Sequence, residues 1–421
     1  MFTLKPEEVN FDKIKSFCEE KIPEGETIEY KRAFPPDSAD LAKSISAMAN
    51  RYGGIILIGV KANKTTNTPI LPIQGIDLTE GLEEKVTSIC LKNIHRPYIP
   101  KAKVCNFQNK RGEDKAVVFI RVEESHETPH AINNNTDVYL RIGSQNQPFR
   151  KATVDEIEQL KNRRQKAVEN REALMQRADQ RFLSMPFDPV DRIHIATAKK
   201  DLHSSYRKVS IVPLFPNKPL FEYSELSKLK DTFHNPGDQV FCLDEPISSS
   251  GSLCFPYVVK SNSLVPDWFN YSEFNIYGLV YNKQGLWENA DPETRELFDV
   301  SYFLKQIYRV VTVGKAIYEK TGFFGSTLIV VQVGEILGRS VGLIDIRPKR
   351  MREKWCDNKI EPNIRITKIC SFAELHENLD TLLLEICKEF LWCCGAGTRI
   401  KEFEDHLRSL VEQAKKLFSK E

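Results

Sequence analysis

Two kinds of residue in the first third of the chain are equipped for chemistry. Three glutamates, Glu24, Glu26 and Glu29, crowd the stretch EGETIEYK. Clustered carboxylates suit a hard divalent cation such as Mg²⁺ or Mn²⁺, which can activate water for phosphodiester cleavage. On an extended stretch Glu24 and Glu26 share one face, and Glu29 falls on the other unless the chain bends. The same acids equally suit a solvated edge before a strand. The second kind is cationic. Lys31 and Arg32 follow at once, and Arg51, Lys61, Lys64, Arg141 and Arg150 recur further on, each able to contact a phosphate. Around Arg141 and Arg150 the run YLRIGSQNQPFRK adds Ser144, Gln145 and Asn146, which suit sugar and phosphate contacts or an ordinary exposed turn.

Other arrangements carry less. EESHETPHA sets His126 and His130 four apart, a metal-ligand spacing on a helix, but Pro129 points to a loop or strand end. No Ser-His-Asp or Cys-His grouping is visible. No GxxxxGK[ST] string occurs, and VTVGKAIY lacks both the leading glycine and the hydroxyl residue, which disfavours a P-loop nucleotide site. The ten cysteines are scattered without paired CxxC knuckles and read as reduced, buried thiols.

These residues must be positioned by the elements around them. SADLAKSISAMANRY has helical spacing, with Leu41, Ile45 and Met48 on one face, and ends near Asn50. Gly53 suits the left-handed residue that closes a helix, and Gly54 frees the chain to enter the strand GGIILIGV. That strand is wholly apolar, as expected of one buried on both faces. A helix over EGLEEKVTSICLKNI and strands over KAKVCNFQ, KAVVFIRV and DVYLRIGS follow, then a long charged helix after Pro148. Residues 1–165 are expected as one α+β unit and 166–220 as a charged helix with a loop-rich linker. Residues 221–421 are expected as a second α+β unit with a sensing or interaction role. In that unit FNIYGLVYN reads as a strand, VSYFLKQIYRVVTVGKAIYEK as a helix, and STLIVVQVGEI with SVGLIDIR as a pair of strands. The tail reads as two helices joined at Gly395-Ala396-Gly397.

Composition narrows the partners. At 41% hydrophobic, 28% charged and net +2, the chain has no global basic signature, so a nucleic acid must be held by a local patch. No apolar run is long enough for a membrane span, and the charged start lacks a signal-peptide core, so a cytoplasmic protein is expected.

Taken in order, IEYK, the helix ending ISAMAN, GGIILIGV, QGID, VVFIRVEESHETPHA and VYLRIGSQNQP resemble the AlbA-type domain of the Schlafen family, over residues of about 22–160. The resemblance implies a mixed-sheet α+β fold and association with nucleic acid. Schlafen nucleases cut transfer RNA and related RNAs with two glutamates and an aspartate around a divalent metal. Glu24 and Glu29 stand at the positions of the two glutamates, which would make them metal ligands and catalytic residues. The aspartate is expected just after GGIILIGV, where this chain has Lys61, Ala62 and Asn63. Lys61 puts a cation where a metal would sit, ready to pair with Glu24, Glu29 or a phosphate. The expected function is therefore nucleic-acid binding, RNA favoured over DNA, in defence or regulation and without efficient cleavage. The alternatives are an endoribonuclease using Mg²⁺ or Mn²⁺, and an ATP-binding regulator. The family's two-lobed nucleases, set against the single copy here, imply a homodimer.

Overall fold

The strand Gly54–Ile58 (β2) is where the first unit is built, and both of its faces are covered, as an all-apolar strand requires. Ile56 and Ile58 face the helices Ser38–Ala49 (α2) and Leu82–Asn93 (α3), while Ile55 and Leu57 face the helix Phe11–Glu19 (α1). The result is a sheet between two helical layers. The computed structural model describes residues 8–132, 136–142, 149–184, 205–226, 228–233, 240–241, 247–259, 268–286, 297–323, 325–344 and 352–418. These divide into two compact units, residues 1–166 and 167–421.

In the first unit β2 pairs in parallel with Ile28–Lys31 (β1), and antiparallel with Asp114–Val122 (β6). Lys101–Gln108 (β5) lies on the far side of β6, and the short Ile76–Asp77 (β3) continues β2's side. A small antiparallel sheet, Ile94–His95 (β4), Ala131–Ile132 (β7), Asp137–Arg141 (β8) and Phe149–Lys151 (β9), lies against α2. The helix Val154–Ser184 (α4) then begins. Asp37 caps α2 by accepting the Ala39 amide, so it serves the helix start.

The second unit is a seven-stranded antiparallel sheet in the order β11-β12-β13-β14-β10-β16-β19. Its strands are Tyr206–Pro213 (β10), Ile247–Ser249 (β11), Ser252–Val259 (β12), Trp268–Asn275 (β13), Val280–Gly285 (β14), Thr327–Gly334 (β16) and Asn363–Cys370 (β19). The helices Val300–Thr321, Leu379–Cys393 and Glu404–Phe418 cover one face, and Leu174, Met175, Ala178 and Phe182 of α4 cover the other. A three-stranded sheet of Leu297–Asp299 (β15), Ser340–Ile344 (β17) and Arg352–Asp357 (β18) is attached. Both units mix helices with largely antiparallel sheet, so the fold class is α+β.

Three expectations in the second unit need correction. FNIYGLVYN is not one strand: β13 ends at Asn275, Gly278 takes φ 85°, and β14 starts at Val280, making a hairpin. The Gly278 amide donates to Asn275 O and the Asn275 amide to Leu279 O, which closes the turn. STLIVVQVGEI and SVGLIDIR do not pair, because β16 joins the large sheet and β17 the small one. The helix expected over FAELHENLDTLLLEICKEFLWCC is two, Phe372–Glu377 and Leu379–Cys393, broken at Asn378. Nine described cysteines are free thiols, eight of them buried and Cys393 partly exposed; Cys242 lies outside the described residues. Among the described residues no helix is long and apolar enough to cross a membrane.

Candidate nucleic-acid interface

Strand alternation decides what Glu29 can do. Ile28 and Tyr30 of β1 face α1, so Glu29 points the other way, beneath α2, and is 7% exposed. Its Oε1 accepts from Lys31 Nζ at 2.7 Å and from Ser44 Oγ of α2 at 3.0 Å. Its Oε2 accepts from Arg141 Nη1 at 2.5 Å. Arg141 arrives from β8 and donates further, from Nε to Gly25 O at 2.7 Å and from Nη2 to Ile28 O at 2.9 Å. Burial pushes the Glu29 carboxyl up, but Arg141, Lys31 and Ser44 outweigh it and hold the group below its ordinary value.

Glu24 sits in the loop before β1 rather than on the strand. Its Oε1 accepts the Tyr30 amide at 2.8 Å, and its own amide donates to Asn67 O at 2.9 Å. Burial, with the nearby Glu29 carboxylate adding to it, raises Glu24 above its ordinary value against the Tyr30 amide and the two cations. The two glutamates and the cations of Lys31 and Arg141 already balance in charge, and Glu29 has a partner on each oxygen. Among the described residues no group of three or more potential ligands could hold a metal ion. Nothing in this donor set fits Mg²⁺ or Mn²⁺, which demand several free oxygen lone pairs.

The third-acid positions also go elsewhere. Asn63 Oδ1 accepts the amides of Thr65 and Thr66 at 2.8 and 3.2 Å, a side-chain-capped turn. Lys61 is exposed and forms no ion pair among the described residues, so it does not take up the expected partnership with Glu24 or Glu29.

The expected phosphate contacts sort by surface. Arg141, expected on the interface, is 1% exposed and spent on Glu29 and two carbonyls. Lys31 is partly exposed and paired to Glu29. Arg150 forks onto Glu156, at 2.6 and 2.7 Å, and Arg51 lies 3.8 Å from Glu26 and over the Tyr52 ring. Arg32, Lys61 and Lys64 are exposed and without an ion pair among the described residues. Arg32 directly follows β1 and Lys61 closely follows β2, and these strands are parallel, so both cations stand at one end of the sheet. The turn bearing Lys64 is tied to the Glu24 loop through Asn67. Ser144, Gln145 and Asn146 lie outside the described residues.

The glycines form the corner between α2 and β2. The Gly53 amide closes α2 on Met48 O, with φ 71°, and a Cβ there would meet Val122 O at 2.5 Å. Gly54 lies under Thr27, whose carbonyl oxygen would be 2.5 Å from a Cβ. Here backbone approaches backbone, so the glycines serve packing of the β1–β2–β6 sheet and leave no cradle for a phosphate. Asn50, just before them, is 1% exposed; its Nδ2 donates to His130 O and Tyr139 O, and its Oδ1 accepts the His130 amide. Ser44 and Arg163 are site-supporting residues that sequence reasoning missed. Arg163 donates from α4 to Asn50 O and Ser125 O, and no local pattern marks it among the charges of that helix.

His130 is a strand-edge residue, as its proline context suggests. Its Nδ1 lies 2.7 Å from Arg96 O and its Nε2 2.7 Å from Ser125 Oγ, which satisfies the neutral ring. Burial first, and Arg163 second, push its pKa down to about 4 from 6.5. A histidine depressed on folding stabilises fully above its unfolded value and loses that contribution as pH falls toward the folded one. Urea unfolding should therefore be weaker by about 2 kcal/mol at pH 5 than at pH 7.5 from this group alone. His130→Gln should flatten the curve between those pH values; an unchanged slope would remove His130 as its source.

Comparison with known proteins follows the same stretch. The family model described as Schlafen, AlbA_2 matches residues 24–150. No protein of curated function matches the chain. Among solved structures, the N-terminal domain of a RecG-related protein from Nitrosomonas europaea is 20% identical, over 26% of this chain and 72% of that one, with a TM-score of 0.22. The matched residues run from Glu24, in the loop before β1, to Arg150 in β9, and they take in both glutamates, Arg141 and the glycine corner. Residues 24–150 of this chain are thus the stretch that is similar to the Schlafen, AlbA_2 family.

Proposed function

We propose that the first unit binds the backbone of nucleic acid, RNA in preference to DNA, and does so without metal-dependent cleavage. The observation that carries this reading is the closure of Glu29 by Arg141, Lys31 and Ser44, which takes the carboxylate out of metal chemistry. Exposed Arg32, Lys61 and Lys64 supply positive charge at the adjoining end of the sheet. Three phosphate contacts would give a salt slope, log Kd against log salt, of about 2 for a single strand. In the variant Arg32→Glu, Lys61→Glu, Lys64→Glu, transfer-RNA affinity should fall at least about tenfold at physiological salt, and the slope should drop by about 2. Unchanged affinity and slope would refute the proposal. Incubation with transfer RNA and Mn²⁺ should leave the RNA intact; discrete products that vanish in Glu29→Gln would replace binding by endoribonuclease activity. Two copies in a homodimer would extend the surface, a stoichiometry that light scattering with and without RNA tests.

A further inference from the structure

The second unit contains a cavity of about 450 Å³ between β18, the turn after it and the end of the helix Leu379–Cys393. Trp355 lines it, is 1% exposed, and its indole Nε1 has no hydrogen-bond partner among the described residues. One face of that indole is stacked on Phe403, with ring centroids 4.8 Å apart, which fixes the ring.

The wall charges favour an anion. Lys354, Lys359 and Arg399 line the cavity with a single carboxylate, Asp357, and Arg399 is paired outside that set with Glu402 at 3.3 Å. Asp357 is already held by Lys354 at 2.7 Å and by Ser340 Oγ at 2.7 Å. Lys359 is exposed and forms no ion pair or hydrogen bond among the described residues. The remaining wall is Cys356, Cys393, Cys394 and Ile360. Burial pushes the three thiols up, Cys356 to about 11, so they are neutral and weakly polar and add no negative charge. The volume exceeds what a bare oxyanion fills and lies in the range of small-molecule sites.

We propose that this cavity binds a small organic anion, with its charged oxygens on Lys359 and its apolar body against the cysteine wall. A phosphate monoester and a carboxylate share this chemistry, and the probes separate them. Cys393 is the partly exposed thiol of the wall, so occupancy is read as protection from alkylation. The full chain is treated with iodoacetamide at mildly alkaline pH, and Cys393 modification is followed by peptide mass spectrometry. Decyl phosphate or decanoate at about ten times its Kd should slow Cys393 alkylation about tenfold. Protection by only one of them assigns the head group. Lys359→Glu, on the surface, should abolish protection when each variant's rate is compared with its own unliganded rate. The proposal is overturned by no protection from either anion, or by equal protection in Lys359→Glu. Equal protection from decyltrimethylammonium overturns it as well, and equal protection from inorganic phosphate removes the apolar half.

Discussion

Glu29→Ala should destabilise the first unit by about 3–5 kcal/mol, the range seen when one partner of a buried ion pair is removed. The substitution leaves Arg141, itself 1% exposed, with its charge facing an empty space beneath α2. Two of its donors remain on Gly25 O and Ile28 O, so it cannot swing out to water without breaking those bonds as well. Glu29→Gln keeps the shape and the Ser44 bond but still strands the cation, and it should fall only slightly short of the alanine variant. Adding Arg141→Met to Glu29→Ala should return much of the loss, since apolar replacement of a buried pair is often neutral or better. The pH sense follows from the lowered carboxyl: this contribution is present at neutral pH and is lost as pH falls below the ordinary glutamate value of about 4.3. That window lies below the one His130 controls, so the two are separable in one titration. Denaturant unfolding decides the role of Glu29. A loss under about 1 kcal/mol together with lost RNA cleavage would make it a metal ligand, whereas a loss of several kcal/mol with RNA binding altered only through folding makes it the anchor of β8.

How far the sequence foretold this depends on the range of each contact. The α2–corner–β2 stretch was legible because its causes are local: helical apolar spacing, a left-handed closing residue, and a strand with no polar face. Arg141 was not. It lies 112 residues from Glu29, in a five-residue strand whose neighbours do not reveal which side turns inward. An arginine read alone suggests a phosphate contact, and only the fold supplies the carboxylate that claims it. Glu24 was misplaced on a strand because acids in alternation look extended, whereas its amide pairs with Asn67 across a loop. In the second unit the hairpin within FNIYGLVYN was hidden because Tyr277 and Leu279 keep the apolar alternation going through the turn. The third acid that the resemblance leads one to expect is replaced in the sequence by Lys61, Ala62 and Asn63. The pairing expected of Lys61 is not made, since Lys61 stays at the surface and Lys31 and Arg141 pair with Glu29 instead.

The same logic gives Asn50 the second large effect. Asn50→Ala should cost about 3–4 kcal/mol, because it strips partners from three backbone groups at once: His130 O at 2.9 Å, Tyr139 O at 3.0 Å and His130 N at 2.8 Å. Each unsatisfied buried group costs about 1–3 kcal/mol, and water entering the small space left behind keeps the total below their sum. Asn50→Asp is the sharper variant. It retains the acceptor for the His130 amide but sets a carboxylate oxygen against two carbonyls that need a donor, so at neutral pH it should be worse than alanine. Protonation restores one donor, so the aspartate variant alone should regain stability as pH falls toward the carboxyl range. Were Asn50 only a helix-end residue, alanine and aspartate would cost alike and neither would depend on pH in this way. Because Tyr139 lies on β8 two residues before Arg141, loosening Asn50 also loosens the strand that delivers the guanidinium to Glu29. Combined with Glu29→Ala it should therefore be less than additive, and a double-mutant cycle measures the coupling between the glycine corner and the glutamate site.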